Sequence, residues 1–312
     1  FNAEYGKALT GVVNMVTKDG GDNFEGFINF YSGDHTTSDT LFSNLNSYSF
    51  NNDYSISANV SGPIIPGFIT FYSSGRINQS DGWLNGLNTF TMYGDTIFHD
   101  YNNNHYRDTN EPIKDPHYQS LNWHDSWSTQ NKITFRLRST TRLKINTILN
   151  SGTSQGYNHN RQMTHDGRKN NYDEGAFIGM NFSHSFSPLS FVDIYLTEYT
   201  HQFQSYLFAD PIDARYVTPD SLYWAHIEGK LPDEIISKYG PGVNYFPQYT
   251  VSRWGVDIDR FKRETKSRSL KLDATSQINK YNQLKFGFDI TRYKLSLDTY
   301  ALLDSSQADQ VF

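Results

Sequence analysis

The chain contains no cysteine, which excludes disulfides and thiol chemistry and leaves redox usage silent about its compartment. It lacks any run of about 18 apolar residues, so no helix is expected to cross a bilayer. None of its ten histidines falls in the His-Glu-x-x-His spacing of a zinc protease. No Gly-rich phosphate loop follows a strand, and no Gly-x-Ser-x-Gly elbow supports a Ser-His-Asp arrangement. Catalysis therefore has no visible carrier, and no enzyme is expected. An excess of basic charge is missing as well. The net charge of −6 argues against nucleic acid as the partner.

What is present is alternation. Ile133, Phe135 and Leu137 interleave with Lys132, Thr134, Arg136 and Arg138. Leu143, Ile145, Thr147 and Leu149 interleave with Arg142, Lys144, Asn146 and Asn150. Tyr54–Ser61, Ser269–Thr275 and Leu284–Thr291 repeat the pattern. Period two puts one set of side chains on each face of a pleated strand. Short turns are expected at Gly62–Gly67, Ser139–Thr141, Ser187–Ser190 and Asn279–Asn282, and long polar stretches at Gly33–Tyr48, Ser80–Asp125, Gln155–Asp173 and Phe208–Arg263. Short and long connections alternate without a break, which gives a sheet two unequal rims. Membrane barrels are built this way, with short turns at one end and long loops at the other, whereas compact soluble domains rarely carry several loops so long. Negative mean hydropathy does not oppose that reading, because barrel strands devote only half their residues to lipid. The abundant Tyr and Phe, 22 of each, suit interfacial girdles and equally suit any β-rich core.

Residues 1–21 read Phe-Asn-Ala-Glu-Tyr-Gly-Lys-Ala-Leu-Thr-Gly-Val-Val-Asn-Met-Val-Thr-Lys-Asp-Gly-Gly. Gly11 precedes a strand over Val12–Thr17, and Gly20-Gly21 ends it with a turn. Glu4, Tyr5, Gly6, Gly11, Val12, Asn14, Val16, Thr17 and Lys18 closely resemble the end of the plug domain in TonB-dependent outer-membrane receptors, of the large nutrient-importer type. The match covers this opening only. It implies that residues 1–21 are the C-terminal end of a plug and that 22–312 are the N-terminal part of a barrel. The fold class expected is all-β: an antiparallel up-and-down transmembrane β-barrel, partial at about nine strands, with open edges. Both ends of the chain look cut. The resemblance also implies orientation, with the first strand running outward, long loops extracellular and short turns periplasmic. It further implies a Gram-negative outer-membrane location, import of a glycan, peptide or chelate, and energy coupling to the TonB complex through plug sequence not present here. Lipid, lipopolysaccharide and a surface substrate-binding lipoprotein are the further partners expected. A passive outer-membrane channel or adhesion barrel, and a soluble β-rich carbohydrate-binding module, are the alternatives. On the polar face, Lys132, Arg136, Arg138, Lys144 and Asn146 would pack on the plug and meet water, or line a solute path.

Two constellations carry chemistry. In Asp100–Glu111, oxygen-bearing side chains of Asp100, Asn102, Asn104, Asp108 and Glu111 hold the first, third, fifth, ninth and twelfth places, and Tyr106 supplies a carbonyl at the seventh. That is calcium-loop spacing, with His105 where the pattern expects glycine. An Asn/Asp-rich turn cluster accounts for the same residues. The second is a basic patch of Lys266, Arg268, Arg292 and Lys294, sharing parity with the apolar rows beneath. Arg268 is expected opposite Lys294, and Leu270 opposite Arg292. The patch would face lipopolysaccharide phosphates or be a solvated strand extension, and a bulge near Tyr293 would turn it inward. Substrate-binding residues are not legible. Pro232–Gly240 reads as one short helix in the last long loop, beside Tyr223, Trp224, Tyr245 and Trp254. Calcium at millimolar concentration is expected to slow proteolysis within residues 100–111. A calorimetric titration without heat and an unchanged cleavage rate would remove calcium from the account.

Overall fold

The computed structural model describes residues 17–89, 118–213, 215–216 and 255–302. The expected calcium loop, the Val12–Thr17 strand (apart from Thr17), the Pro232–Gly240 helix and its neighbouring aromatics lie outside these residues. Among the described residues eleven strands are formed: β1 (Glu25–Gly33), β2 (Asp53–Ile65), β3 (Ile69–Ser80), β4 (Asn85–Leu87), β5 (Tyr118–Ser120), β6 (His124–Arg138), β7 (Thr141–Ser154), β8 (Asn170–Ser187), β9 (Ser190–Tyr206), β10 (Asp259–Gln277) and β11 (Gln283–Ala301). Nine of them form one antiparallel sheet in the order β1-β2-β3-β6-β7-β8-β9-β10-β11, and β4 pairs with β5 alone. The sheet is an up-and-down meander that is not closed, and β1 and β11 are its edges.

Every short turn lies at one rim. Between β2 and β3, Phe68 N–H donates to the Ile65 carbonyl at 3.0 Å, and Gly67 takes φ +75°. Proline at the second place and a positive-φ glycine at the third make this a type II turn. Strand β2 thus extends to Ile65, beyond the expected Gly62, by way of a bulge between Pro63 and Ile65. Between β10 and β11 the Asn279 carboxamide oxygen accepts from the N–H groups of Tyr281 (2.9 Å) and Asn282 (3.0 Å). That Asx turn closes the hairpin around Gln277 and Gln283. The expected register is thereby corrected by two residues: Arg268 faces Arg292, Lys266 faces Lys294, and Leu270 faces Ile290.

Buried hydrophobic residues are few. Among the described residues they are Leu45, Leu121 and Val256, all in the long connections. The sheet's apolar side chains form an exposed face instead. Reading across the ladders, Gly62, Phe71, Ile133, Ile145, Met180, Leu196, Leu270 and Ile290 lie in one continuous row. A row nearer the long loops begins apolar, as Phe30, Ile56, Ile77 and Trp127, and continues polar, as Ser151, Glu174, Gln202, Glu264 and Ser296. At the other margin, β11 continues apolar to Phe286 and Leu284, which are 65% and 59% exposed.

The apolar band therefore slants across the sheet. It drops by about six residues, or about 20 Å, over roughly 40 Å of sheet width at ~3.4 Å per residue and ~4.8 Å per strand. The slope is about 30°, approaching the tilt of about 35–45° at which barrel strands cross their axis. On β11 the band runs from Leu284 to Ile290, about 20 Å, near the apolar height of about 25 Å in membrane barrels. On β9 and β10 it is shorter, about 14 Å, and on β3 and β6 it is interrupted by Ser73, Asn131 and Thr129. Gly67→Val would force a β-branched side chain into the left-handed region. It is expected to cost about 1–2 kcal/mol, read as a lowered unfolding midpoint in a denaturant titration of the folded chain, with Gly67→Asn nearly neutral.

Candidate functional site

The opposite face is polar, and a chain segment is fastened to it. Residues 17–24 approach β1 across the short-turn half of that face. Lys132 on β6 is 7% exposed; its Nζ donates to the Thr17 carbonyl at 2.9 Å and to Asp19 Oδ1 at 2.8 Å. Lys144 on β7 donates to Asp19 Oδ2 at 2.6 Å, and Arg136 pairs with Asp22. Gly20 passes so close to β3 that a Cβ there would lie 2.3 Å from the Phe71 carbonyl oxygen, which only glycine permits. Partial burial pushes the Asp19 carboxyl up, but the hydrogen bonds and charges of Lys132 and Lys144 outweigh it and hold the group below the usual carboxylate range. Of the five polar-face residues singled out in the sequence, Lys132, Arg136 and Lys144 contact this segment. Arg138 follows a bulge after Arg136, and the Asn146 side-chain oxygen is buried without a hydrogen bond.

Toward the long loops the polar face carries an aromatic ladder that parity alone does not announce. Tyr195, Tyr199, His201 and Phe203 share this face of β9. The rings of Tyr199 and His201 lie parallel, 4° apart in tilt with centroids 6.3 Å apart. His201 Nε2–H donates to Asp173 at 2.8 Å. The Arg263 guanidinium sits 5.8 Å from the Phe203 ring, and Phe261 meets that ring edge-on. Lys271 pairs with Asp273 at 2.8 Å and faces the Tyr195 ring. On β11, Tyr293, Leu295 and Leu297 extend the surface and are exposed. Flat rings flanked by carboxylates and cations can stack on a solute and hydrogen-bond its rim.

The roots of the long loops are tied together by two buried arginines. Arg168 is 2% exposed and donates to the carbonyls of Leu121 (2.8 Å), Ser120 (3.2 Å), Gly156 (3.4 Å) and His165 (3.4 Å). Burial lowers it to about 10, with Asp257 opposing that shift. Arg161 donates to the Gly255 carbonyl at 2.7 Å and to Asp257 at 3.3 Å. Asp257 in turn accepts from the Lys169 N–H at 3.1 Å. Three connections that are remote in sequence thus share one base. The 88–117 connection, which contains the expected calcium residues, springs from β4 and β5 within it. Among the described residues no group of His, Asp and Glu is placed to hold a metal.

The basic patch is brought together on the face that carries the apolar rows. Lys266 pairs with Glu198 at 2.6 Å, and Arg268 reaches both its oxygens at 2.9 and 3.5 Å. The β10–β11 ladder runs without a bulge, so Arg292 and Lys294 keep the parity of Ile290. Glu198, invisible as a partner in the sequence, arrives through the β9–β10 register.

No family model matches the chain, and no curated relative or solved structure matches it.

Asp19→Asn is expected to loosen residues 17–24 by about 1–2 kcal/mol, less than for a fully buried pair because Asp19 is half exposed. Hydrogen exchange at these residues reads the change. Because Asp19 is depressed in the folded chain, its contribution is complete above its unfolded value of about 4 and is lost as pH falls through the folded value. Wild-type exchange at 17–24 should therefore approach that of the variant below about pH 4. Equal exchange in the two proteins at neutral pH would exclude the clamp.

Proposed function

We propose that this chain is part of a TonB-dependent outer-membrane receptor: the end of a plug followed by the first part of a barrel wall. The observation that carries the reading is the slanted apolar band, exposed or half-exposed over most of the sheet, between a rim of short turns and a rim of long loops. A planar hydrocarbon layer crossed by tilted strands requires that geometry. A soluble carbohydrate-binding module would instead bury its apolar face against a second layer. The clamp on residues 17–22 favours a receptor over an open channel, since it seats the plug-like segment on the polar face.

In this reading the short-turn rim is periplasmic and the long loops extracellular. A glycan, peptide or chelate meets the loops and the aromatic ladder, and moves inward when TonB acts on plug sequence preceding this segment. A surface lipoprotein delivers the solute, and calcium stiffens residues 100–111. The localisation is the outer membrane of a Gram-negative cell.

The membrane part of the reading is tested by charge placement. Met180→Arg puts a cation in the middle of the band and is expected to cost about 2–4 kcal/mol in bilayers. Thr197→Arg, on the polar face one strand away, should cost less than about 1 kcal/mol. Folding into phospholipid vesicles, followed by denaturant titration, checks both in the full-length protein. Equal effects of the two substitutions, or a protein that stays monomeric and folded without lipid or detergent, would sink it.

A further inference from the structure

The apolar face is broken inside its band, on strands that have neighbours on both sides. Ser73 on β3 faces Asn131 on β6, which faces Thr147 on β7. One row nearer the long loops, Gly75 faces Thr129. Apolar side chains enclose this group: Ile77 and Trp127 on the long-loop side, Phe71 and Ile133 on the short-turn side, and Val60 and Ile178 at its flanks. Its members bond among themselves. The Ser73 hydroxyl donates to Asn131 Oδ1 at 2.6 Å, and Asn131 Nδ2 donates to the Thr129 hydroxyl at 3.3 Å. Thr129 in turn donates to the Ser74 carbonyl at 2.9 Å. An amide carries two N–H donors and two acceptor lone pairs, so Asn131 keeps one of each after these bonds.

The surface is also low there. Gly75 offers no side chain to the apolar face, yet nothing in the chain requires glycine at that place. A Cβ would meet nothing nearer than the Ser128 carbonyl oxygen at 3.8 Å, and the backbone is not in the left-handed region. Ala58 lies beside it on β2, so another surface has room to come close. Between membrane-spanning segments, small residues let backbones approach, and polar side chains then join them by hydrogen bonds. An N–H turned toward hydrocarbon has no water to bond, so a partner supplying an acceptor at that depth is favoured.

We infer that the patch of Ser73, Asn131 and Thr147 is where a second copy of this chain docks within the membrane. Depth selects a second copy. Two copies inserted in the same direction are related by a twofold axis along the membrane normal, and rotation about it leaves every residue at its own height. Asn131 of one copy therefore meets Asn131 of the other. The two amides complete each other through two reciprocal N–H···O bonds. Tilt keeps the contact compact. Strands inclined at about 35–45° cross their counterparts at about 70–90°, so two convex walls touch around one point, and the groups at that point decide the affinity. The inference rests on the membrane reading, since in water solvent would satisfy the same amide.

The test uses the full-length protein in phospholipid vesicles, with copies per complex counted by stepwise photobleaching over a range of protein-to-lipid ratios. Wild type should pass from monomer to dimer as the ratio rises. Asn131→Leu should raise the dissociation constant about tenfold, the factor for about 1.4 kcal/mol, which two hydrogen bonds in a membrane can supply. Asn131→Gln should keep most of the affinity. Asn131→Leu also strands the Ser73 hydroxyl, so Gly75→Leu serves as a second variant. It leaves the bonded group intact, fills the low spot and should weaken the dimer at least as much. In a cysteine-free background, a short bis-maleimide should join copies through Thr147→Cys and not through Leu196→Cys, two strands further on. A dimer unaffected by both Leu variants, or one joined through Leu196→Cys in preference, overturns the inference. Monomers at every ratio, together with the expected cost of Met180→Arg, sink the dimer alone. Equal effects of Met180→Arg and Thr197→Arg sink the membrane reading and the dimer with it.

Discussion

A sheet with one apolar and one polar face depends on whatever takes the apolar face out of water, because that transfer is the main favourable term in folding. In this chain the described residues do not supply the cover. The row from Gly62 to Ile290 crosses eight strands with no second layer over it, and among the described residues the buried hydrophobics are three loop residues. The backbone ladders satisfy the peptide groups of the sheet interior, as any environment poor in water demands. A hydrocarbon layer would complete the burial that the protein leaves open, and the slant of the band fits such a layer.

The polar face follows the opposite logic. Among its buried groups Lys132 holds structure by finding partners. Lys132 and Lys144 converge on Asp19, which fastens an irregular segment that would otherwise have little to pack against. At the long-loop rim, Arg161 and Arg168 take the place of a hydrophobic core. Arg168 gathers carbonyls from two connections and Arg161 ties to a third through Gly255 and Asp257, so the roots of the loops share one base. A removed partner would strand buried donors, which is costlier than the net gain of any one bond.

These two faces and two rims divide the labour that the proposed receptor needs. In that reading the apolar face meets lipid. The short-turn half of the polar face belongs to the plug-like segment, and the half nearer the loops, with Tyr199, His201, Phe203 and Arg263, is free to meet a solute.

Alternation, the nine-strand count and the order of short and long connections were legible in the sequence, because strand period and turn chemistry are set within a few residues. The basic patch and the polar-face lysines were legible as parity. Their partners were not: Asp19 lies 113 residues from Lys132, Asp257 lies 96 from Arg161, and nothing local signals either pairing. The hairpin register was misread by two because an asparagine side chain, not strand pattern, closes the β10–β11 turn. The sequence by itself thus determined which residues alternate and where the chain turns. Only the tertiary structure decided which rows align, and therefore that the apolar stretches form a slanted band ending beneath Arg292 and Lys294. The physical reason is that parity is a property of one strand, whereas height in the band depends on the summed registers of all its neighbours.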